Sequence, residues 1–173
     1  MAGLSTKAIK TRIKSMQSTR QITKAMELVA ASKLRSAQAK AISSRPYFQT
    51  LYAAMDEIAD TNNDFTSPYL HANPNGKPAY VVIAGDRGLA GGYNNNVLKL
   101  AFRQMPQDAV VLPIGKKTVE FFQHRSCEIL TEEYREAASV SIGDCYSIAK
   151  LVADGFLDKT YQNVVLVYTN FVS

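Results

Sequence analysis

The chain has 173 residues, of which 46% are hydrophobic and 20% are charged, so it is long enough for one full domain or for a domain with an extended element. No apolar run approaches the roughly 20 residues that a helix needs to cross a bilayer, which excludes a membrane-spanning segment. The N-terminus lacks the apolar stretch of a secretory signal, so we expect the mature chain to begin here and to reside in the cytoplasm. Cys127 and Cys145 are too few for a disulfide framework or a zinc site, and we expect both to be small core residues.

The positive charge is concentrated near the N-terminus. Residues 1–45 contain ten Lys or Arg side chains and one carboxylate, a net charge of +9, so the whole-chain charge of +5 leaves −4 for the remainder. Such a basic arm fits nucleic acid, a membrane surface, or an acidic protein through which a shaft runs. Nucleic acid is the less favoured partner, because no aromatic residue precedes Tyr47 to stack on bases.

A long helix is the first predicted element. Residues 4–45 contain neither Gly nor Pro and are rich in strong helix formers, which predicts a helix about 63 Å long. Pro46 should kink this helix, and an apolar face that resumes at Tyr47 predicts that it continues to about Asp60. We therefore assign residues 1–60 to one shaft helix.

The apolar residues of this helix form two separate faces, which indicates more than one partner. A helix of this length is about twice the span of a domain of this size, so part of it should project. The alternative is a helix that folds back on its own domain and leaves its basic side in solvent. The first face comprises Ile9, Ile13 and Met16, and the second comprises Ile22, Met26 and Val29.

The second half of the chain has the pattern of an α/β domain. Residues 61–78 are rich in Asn, Pro, Ser and Thr and carry the turn signal Asn75-Gly76, which predicts a linker. From residue 79 to 173, short apolar runs alternate with helical ones, which predicts βαβ units and a mainly parallel sheet. Ser141 and Asp144 predict a capping box at the start of the longest of these helices. The expected strands are 80–84, 110–114, 127–130 and 164–168, and the expected helices are 97–105, 118–123 and 142–157.

A glycine-rich loop, residues 85–94, follows the first expected strand. Loops of this kind hold phosphates in α/β proteins, because glycine lets backbone N–H groups approach an anion. The glycines fall at positions that break the dinucleotide fingerprint, and the loop lacks the Lys and Ser or Thr that end a Walker loop. The plain alternative is a tight turn in which Asp86 and Arg87 pair or cap and nothing binds.

The sequence contains no pattern typical of a catalytic centre. His71 falls in the linker and His124 at a helix end, and neither has a nearby Ser or Cys placed as a nucleophile. The acidic residues are scattered without metal-ligand spacing. We therefore expect no catalytic residues, no metal, no cofactor and no stably bound nucleotide. The alternative function is a nucleotide-binding α/β domain whose basic arm binds nucleic acid.

Three segments carry a resemblance to a known family. Residues 18–35, STRQITKAMELVAASKLR, followed by Ser44-Arg45-Pro46-Tyr47, and then residues 86–94, DRGLAGGYN, resemble the gamma subunit of F-type ATP synthases. The resemblance covers essentially the whole chain in the family's order of shaft helix, linker and Rossmann-like domain. Two positions depart from the usual pattern: Ala90, where many members have Cys, and Gly85, where Ser or Thr is usual.

The resemblance implies a fold and a function. The fold is α/β, with a long N-terminal helix that forms half of an antiparallel coiled coil and a Rossmann-like domain; the second helix lies beyond Ser173. The implied function is a non-catalytic rotor stalk that couples proton-driven rotation to ATP synthesis or hydrolysis on the catalytic subunits. The implied partners are the alpha and beta subunits of the catalytic head, the epsilon subunit and the membrane c-ring. The implied location is peripheral, on the cytoplasmic face of the bacterial cell membrane.

The resemblance also suggests which residues contact partners. Met26 matches a family position where the shaft meets the catalytic collar; the alternative is that Met26 packs only on the second helix of the coiled coil. Arg87 is expected to face acidic residues of a catalytic subunit while the loop glycines hold the turn. The full set of expected partner contacts is Lys24, Met26, Glu27, Lys33, Arg35, Asp86, Arg87, Tyr93 and Asn94.

Overall fold

A computed structural model of the chain describes residues 5–61 and 67–171. The chain divides into two compact units, residues 1–65 and residues 66–173. Within the described residues, no helix combines the length and the apolar character that crossing a bilayer requires.

The described part of the N-terminal unit contains one helix, α1, which spans Thr6–Thr61. Its 56 residues reach about 84 Å at 1.5 Å per residue. The helix continues through Pro46, although proline lacks the N–H that would bond one turn back. The predicted long N-terminal helix is confirmed, whereas the kink at Pro46 stays a prediction.

The C-terminal unit is a four-stranded parallel sheet in the order β3-β2-β1-β4. Strand β1 pairs in parallel with β2 and with β4, and β2 pairs in parallel with β3. The predicted α/β fold with a parallel sheet is confirmed. The elements in chain order are β1 (Lys77–Ile83), α2 (Tyr93–Gln104), β2 (Val110–Ile114), α3 (Lys116–Gln123), β3 (Glu128–Ile129), a 3-10 turn (Ala137–Ser139), α4 (Ile142–Leu157) and β4 (Tyr161–Val167).

Element ends differ from the sequence prediction where partners in the fold extend or shorten them. Both β2 and α4 have the predicted bounds. Strand β1 begins at Lys77, inside the segment predicted as linker, because Lys77 pairs with Tyr161 of β4. Helix α2 begins at Tyr93 rather than at residue 97, so the three consecutive asparagines form its first turn. Strand β3 is only two residues long.

The sheet has a hydrophobic core on each face, because alternate residues of a strand point to opposite sides. On one face, Tyr80 and Val82 of β1 join Phe122 of α3 and the buried side of α2. On the other face, Val81 of β1 joins Ile148 of α4. Successive side chains of β1 therefore point alternately into the two cores.

The two cysteines lie in different environments, although the sequence predicted that both are core residues. Cys127 is half-buried and packs against the first core, where burial raises the pKa of its thiol despite the charge of Arg125. Cys145 is exposed, so its assignment to the core was wrong. Helix α4 buries only Ile148 and Phe156, and Cys145 lies outside that narrow stripe.

The capping box predicted at the start of α4 is present. The Ser141 hydroxyl accepts from the backbone N–H of Asp144 at 3.2 Å, and the Asp144 carboxylate accepts from the backbone N–H of Ser141 at 2.7 Å. Hydrogen bonds from the side chain and the backbone of Ser141 hold the pKa of Asp144 below its ordinary value. The start of α4 is thus stabilised by contacts local in sequence.

Candidate interaction surface

The glycine-rich loop joins β1 to α2 at the carboxyl edge of the sheet. The backbone N–H of Ala84 donates to the carbonyl of Ile114 at 3.1 Å, and the backbone N–H of Lys117 donates to the carbonyl of Gly85 at 3.1 Å. The start of the loop therefore lies beside the start of α3, because parallel strands end at the same edge.

The carboxylate of Asp86 ties this loop to two other segments. It accepts from the backbone N–H groups of Ala137 at 2.8 Å, Ala138 at 3.1 Å and Lys116 at 3.2 Å. Helix α3 has Gly115 at its N-cap, which supplies no side-chain cap. Asp86 therefore provides from a distant segment the acceptor that a local capping residue usually supplies.

The negative charge of Asp86 is stabilised at the start of α3. Partial burial raises the pKa of Asp86, but the backbone hydrogen bonds from Ala137, Ala138 and Lys116, together with the positive charge of Arg87, outweigh it. The pKa of Asp86 consequently lies below its ordinary value. A carboxylate at the first residue of α3 also interacts favourably with the helix dipole.

The side-chain amide of Asn94 holds the two ends of the loop's first turn. Its Oδ1 accepts from the backbone N–H of Gly85 at 2.8 Å, and its Nδ2 donates to the carbonyl of Arg87 at 2.9 Å. A Cβ atom at Gly85 would lie 3.1 Å from Asn94 Oδ1. Glycine at this position therefore leaves room for the Asn94 amide. The presence of Gly85, where the family usually has Ser or Thr, thus has a structural consequence.

The tip of the loop is exposed and contains two residues with left-handed backbone. Leu89 has φ of 59° and Gly91 has φ of 57°. Gly88 does not have left-handed backbone, and a Cβ atom added to Gly88 would meet nothing within 4 Å. The expectation that the loop glycines hold the turn is therefore right for Gly91, while Gly88 has no such requirement.

The five predicted contact residues of the N-terminal unit lie along α1 with exposed side chains. Met26 is 59% exposed, and Lys33 follows it two helical turns later on the same side. An open apolar strip lies nearer the start of the helix and is flanked by cations. The predicted residues are Lys24, Met26, Glu27, Lys33 and Arg35, and the strip is lined by Ile9, Arg12, Ile13, Met16, Gln17 and Arg20.

The other four predicted contacts lie together in the C-terminal unit, and the structure divides them by role. Asp86 and Asn94 are half-buried and bonded inside the unit, whereas Arg87 and Tyr93 are exposed. Sequence reasoning gave a capping role for Asp86 only as the plain alternative, and it missed the partners of Asp86, the Asn94 hydrogen bonds and the exposed Leu89. The available signal for Asp86 was a carboxylate three residues after the end of a buried parallel strand, at the edge where α3 also begins.

The structure brings no metal-ligating cluster together in residues 5–61 and 67–171. Both histidines, His71 and His124, are exposed. Residues 85–94 offer hydrogen bonds, charge and the exposed side chains of Leu89, Ala90 and Tyr93.

Comparison with known proteins shows the protein family to which the chain belongs. A family model described as ATP synthase matches residues 5–173. The chain is 41% identical to the ATP synthase gamma chain of Ruminococcus albus, in an alignment that covers 96% of this chain and 60% of that relative. It is 38% identical to the ATP synthase gamma chain of Alkaliphilus metalliredigens, over 99% of this chain and 60% of that relative.

A third relative carries a more specific name. The chain is 36% identical over 167 residues to the protein of Acetobacterium woodii named ATP synthase gamma chain, sodium ion specific, which covers 95% of this chain and 55% of the relative. The chain therefore belongs to the gamma-chain family of ATP synthases. It spans about three-fifths of the length of the curated relatives named first.

Proposed function

We propose that the protein is the central rotor-stalk subunit of an ATP synthase, which couples ion-driven rotation to ATP synthesis or hydrolysis on the catalytic subunits. The observation that carries this proposal is α1, a 56-residue helix with exposed apolar residues on two faces. A shaft must contact its surroundings differently at different angles, and a helix whose apolar residues point in two separate directions has that asymmetry.

The two apolar faces of α1 suit two different partners. One face fits the second helix of an antiparallel coiled coil, and the other fits the inner surface of a collar formed by the alpha and beta subunits. The excess of Lys and Arg in residues 1–45 favours acidic side chains on that collar. Ile13 and Met26, one from each face, are both more than half exposed, so the two surfaces are open to such partners.

The C-terminal unit suits a docking platform better than a catalytic or nucleotide-binding one. The carboxylate of Asp86 occupies the start of α3, so its charge would repel a phosphate at that helix start. The backbone N–H of Gly85 is likewise bonded to Asn94. These contacts favour a non-catalytic subunit that binds the epsilon subunit and the c-ring over the alternative of a nucleotide-binding domain with a nucleic-acid arm.

The proposed location is peripheral, on the cytoplasmic face of the bacterial cell membrane, where the c-ring ends. We propose protons as the coupling ion. Because one matched relative is named sodium ion specific, the test of coupling includes both ions.

Reconstitution tests this function directly. The full-length subunit that carries residues 1–173 is combined with the remaining purified subunits in lipid vesicles, and ATP synthesis is measured under a proton gradient or a sodium gradient. We expect synthesis under the proton gradient only when the subunit is present. Equal synthesis without the subunit contradicts the rotor role, and synthesis that requires sodium contradicts the proposed ion.

Two measurements on the purified subunit separate the alternatives. We expect no ATP hydrolysis by the subunit alone, and we expect no binding of ATP or NAD tighter than about 100 μM, which corresponds to about −5.5 kcal/mol. Hydrolysis that survives removal of contaminating catalytic subunits contradicts the non-catalytic role. Tight binding of either nucleotide supports the nucleotide-binding alternative.

A further inference from the structure

The Asn75-Gly76 pair closes a tight turn that leads directly into β1. The turn runs from Asn73 to Gly76, with Pro74 at its second position. The backbone N–H of Gly76 donates to the carbonyl of Asn73 at 3.1 Å, which is the bond typical of a β-turn with proline at that position. The side chain of Asn75 is exposed to solvent, and the contacts proposed for partner subunits do not include it.

An asparagine followed by glycine has a chemical reactivity of its own. The backbone nitrogen of the following residue loses its proton and attacks Cγ of the asparagine, a C–N bond forms, and the side-chain nitrogen leaves as ammonia. Water then opens the cyclic succinimide at either carbonyl, which gives Asp or isoaspartate. Glycine permits this attack best because it has no Cβ atom in the way. The sequence contains a single Asn-Gly pair, whereas Asn163 is followed by the branched Val164.

The folded chain holds the attacking nitrogen in place. The N–H of Gly76 is bonded to the carbonyl of Asn73, so loss of its proton first requires that hydrogen bond to break. Gly76 also lies so close to β4 that an added Cβ atom would overlap the backbone of Tyr161. The next residue, Lys77, is paired with Tyr161 in the sheet. The backbone of Gly76 is therefore fixed on both sides and is not free to turn toward Cγ of Asn75.

Asn73 fixes the turn to the rest of the C-terminal unit. Its Nδ2 donates to the carbonyl of Phe156 at 2.7 Å and to the carbonyl of Tyr161 at 2.8 Å. Its backbone N–H donates to the carbonyl of Gln162 at 2.9 Å. The residue that accepts the N–H of Gly76 is thus itself held by the end of α4 and the start of β4. Opening of the turn therefore disturbs contacts with two other elements.

We propose that Asn75 is a site of spontaneous deamidation that the folded turn keeps closed, so that its conversion marks subunits in which the start of β1 has opened. The rate follows the population of the open turn, because only an open turn frees the nitrogen of Gly76. Isoaspartate lengthens the backbone by a methylene group between Asn73 and Gly76, so the modified turn cannot close in the original register. This chemistry is independent of the proposed rotor function.

The test follows residue 75 in the full-length subunit, either folded in buffer or unfolded in urea at the same mildly alkaline pH. Mass spectrometry of the peptide that contains residues 73–77 measures conversion of the amide, and chromatography separates the Asp and isoaspartate forms. Asn73→Ala removes the bonds to Phe156 and Tyr161 but leaves the reacting pair unchanged. Asn95→Ala, at an exposed position of α2, is the matched control variant.

We expect Asn75 to convert faster than Asn163 in urea, and at least about tenfold more slowly in the folded subunit than in urea. Asn73→Ala should speed conversion in the folded subunit at least about threefold and leave the rate in urea unchanged, whereas Asn95→Ala should change neither rate. Equal rates in the folded and unfolded wild type overturn the protection, and conversion of Asn75 in urea no faster than that of Asn163 overturns the site. If Asn73→Ala does not fold, the comparison of folded and unfolded wild type decides.

A second measurement tests the consequence of the modification. The isoaspartate form is separated after conversion in urea, refolded, and compared with Asn75→Asp by hydrogen exchange at Lys77, whose backbone N–H donates to the carbonyl of Thr160 at 3.0 Å. We expect fast exchange in the isoaspartate form and wild-type protection in Asn75→Asp, because only isoaspartate lengthens the backbone. Equal protection of Lys77 in the two forms contradicts the claim that the modified turn cannot close.

Discussion

The backbone N–H of Ala137 donates to Oδ1 of Asp86 at 2.8 Å, although the two residues are 51 positions apart in the chain. Through this bond and its bond to Lys116, Asp86 joins the glycine-rich loop to the 3-10 turn and to the start of α3. We therefore expect Asp86 to influence any partner of the loop through the loop's shape more than through direct contact.

Replacement of Asp86 by Asn should destabilise the C-terminal unit. Asn keeps an oxygen acceptor but loses the charge that strengthens three hydrogen bonds, so we expect the free energy of unfolding to fall by about 1–3 kcal/mol near neutral pH. Urea unfolding of the 173-residue chain measures this. An unchanged free energy would show that the charge contributes nothing to the fold.

The effect of Asp86 should depend on pH in a defined direction. Because the pKa of Asp86 is lowered in the folded state, its carboxylate stabilises the fold at pH values above the unfolded-state pKa. That contribution is lost as the pH falls through the folded-state pKa. The difference between wild type and Asp86→Asn should therefore shrink below about pH 4. A difference that is equal at neutral and acidic pH would contradict this assignment.

Replacement of Asn94 by Ala should loosen the loop. Two hydrogen bonds to backbone groups of Gly85 and Arg87 are lost, so we expect a loss of about 1–2 kcal/mol in the free energy of unfolding. Exposed Asn95, on the same helical turn, supplies the matched control, and Asn95→Ala should change stability by less than about 0.5 kcal/mol. Equal effects of the two changes would indicate that the helix start, not the Asn94 bonds, is responsible.

The glycines of the loop should differ in their tolerance of alanine. Gly91 has φ of 57°, so Gly91→Ala should lower the free energy of unfolding by about 1–2 kcal/mol. Gly88 has no left-handed φ and has open space where a Cβ atom would lie, so Gly88→Ala should be neutral within about 0.5 kcal/mol. Thermal unfolding of both variants checks the difference, and greater damage from Gly88→Ala would contradict the assigned turn.

Replacement of Met26 by Lys should alter coupling more than folding. Met26 is exposed on α1, so the change leaves the helix intact while it adds a cation toward an acidic collar. The ratio of ATP synthesised to ions transported should fall in reconstituted vesicles, whereas Met16→Lys, on the face proposed for the second helix, should reduce assembly instead. Normal synthesis per assembled complex with a large loss of assembly would show instead that Met26 packs on the second helix of the coiled coil.

Replacement of Arg87 by Ala should leave the chain folded. Arg87 is exposed, and an exposed ion pair with a partner contributes only about 0.2–1 kcal/mol. We expect weaker binding to the remaining subunits and rotation-coupled activity that is more sensitive to salt. Unfolding of the isolated chain, with unchanged coupling in the complexes that survive, would make Arg87 an internal structural residue.

The sequence by itself determined the features that depend on neighbours a few positions away. Residues 6–45 of the long helix α1 follow from a run without Gly or Pro and rich in helix formers, and the capping box of Ser141 and Asp144 is local in sequence. The alternation of apolar strands and helices predicted the parallel sheet, because such strands must be joined by crossovers. The resemblance to the gamma-chain family was also readable in three short segments.

Only the tertiary structure decided the roles of single residues in the loop. No spacing rule predicts that Asp86 meets Ala137 and Lys116, because those contacts exist only after the strands β1 and β2 pair side by side and bring their ends together. The exposure of Cys145 and the left-handed backbone of Leu89 likewise depend on how neighbouring segments pack. A residue's type sets which bonds it can form, and long-range packing sets which partner stands within reach.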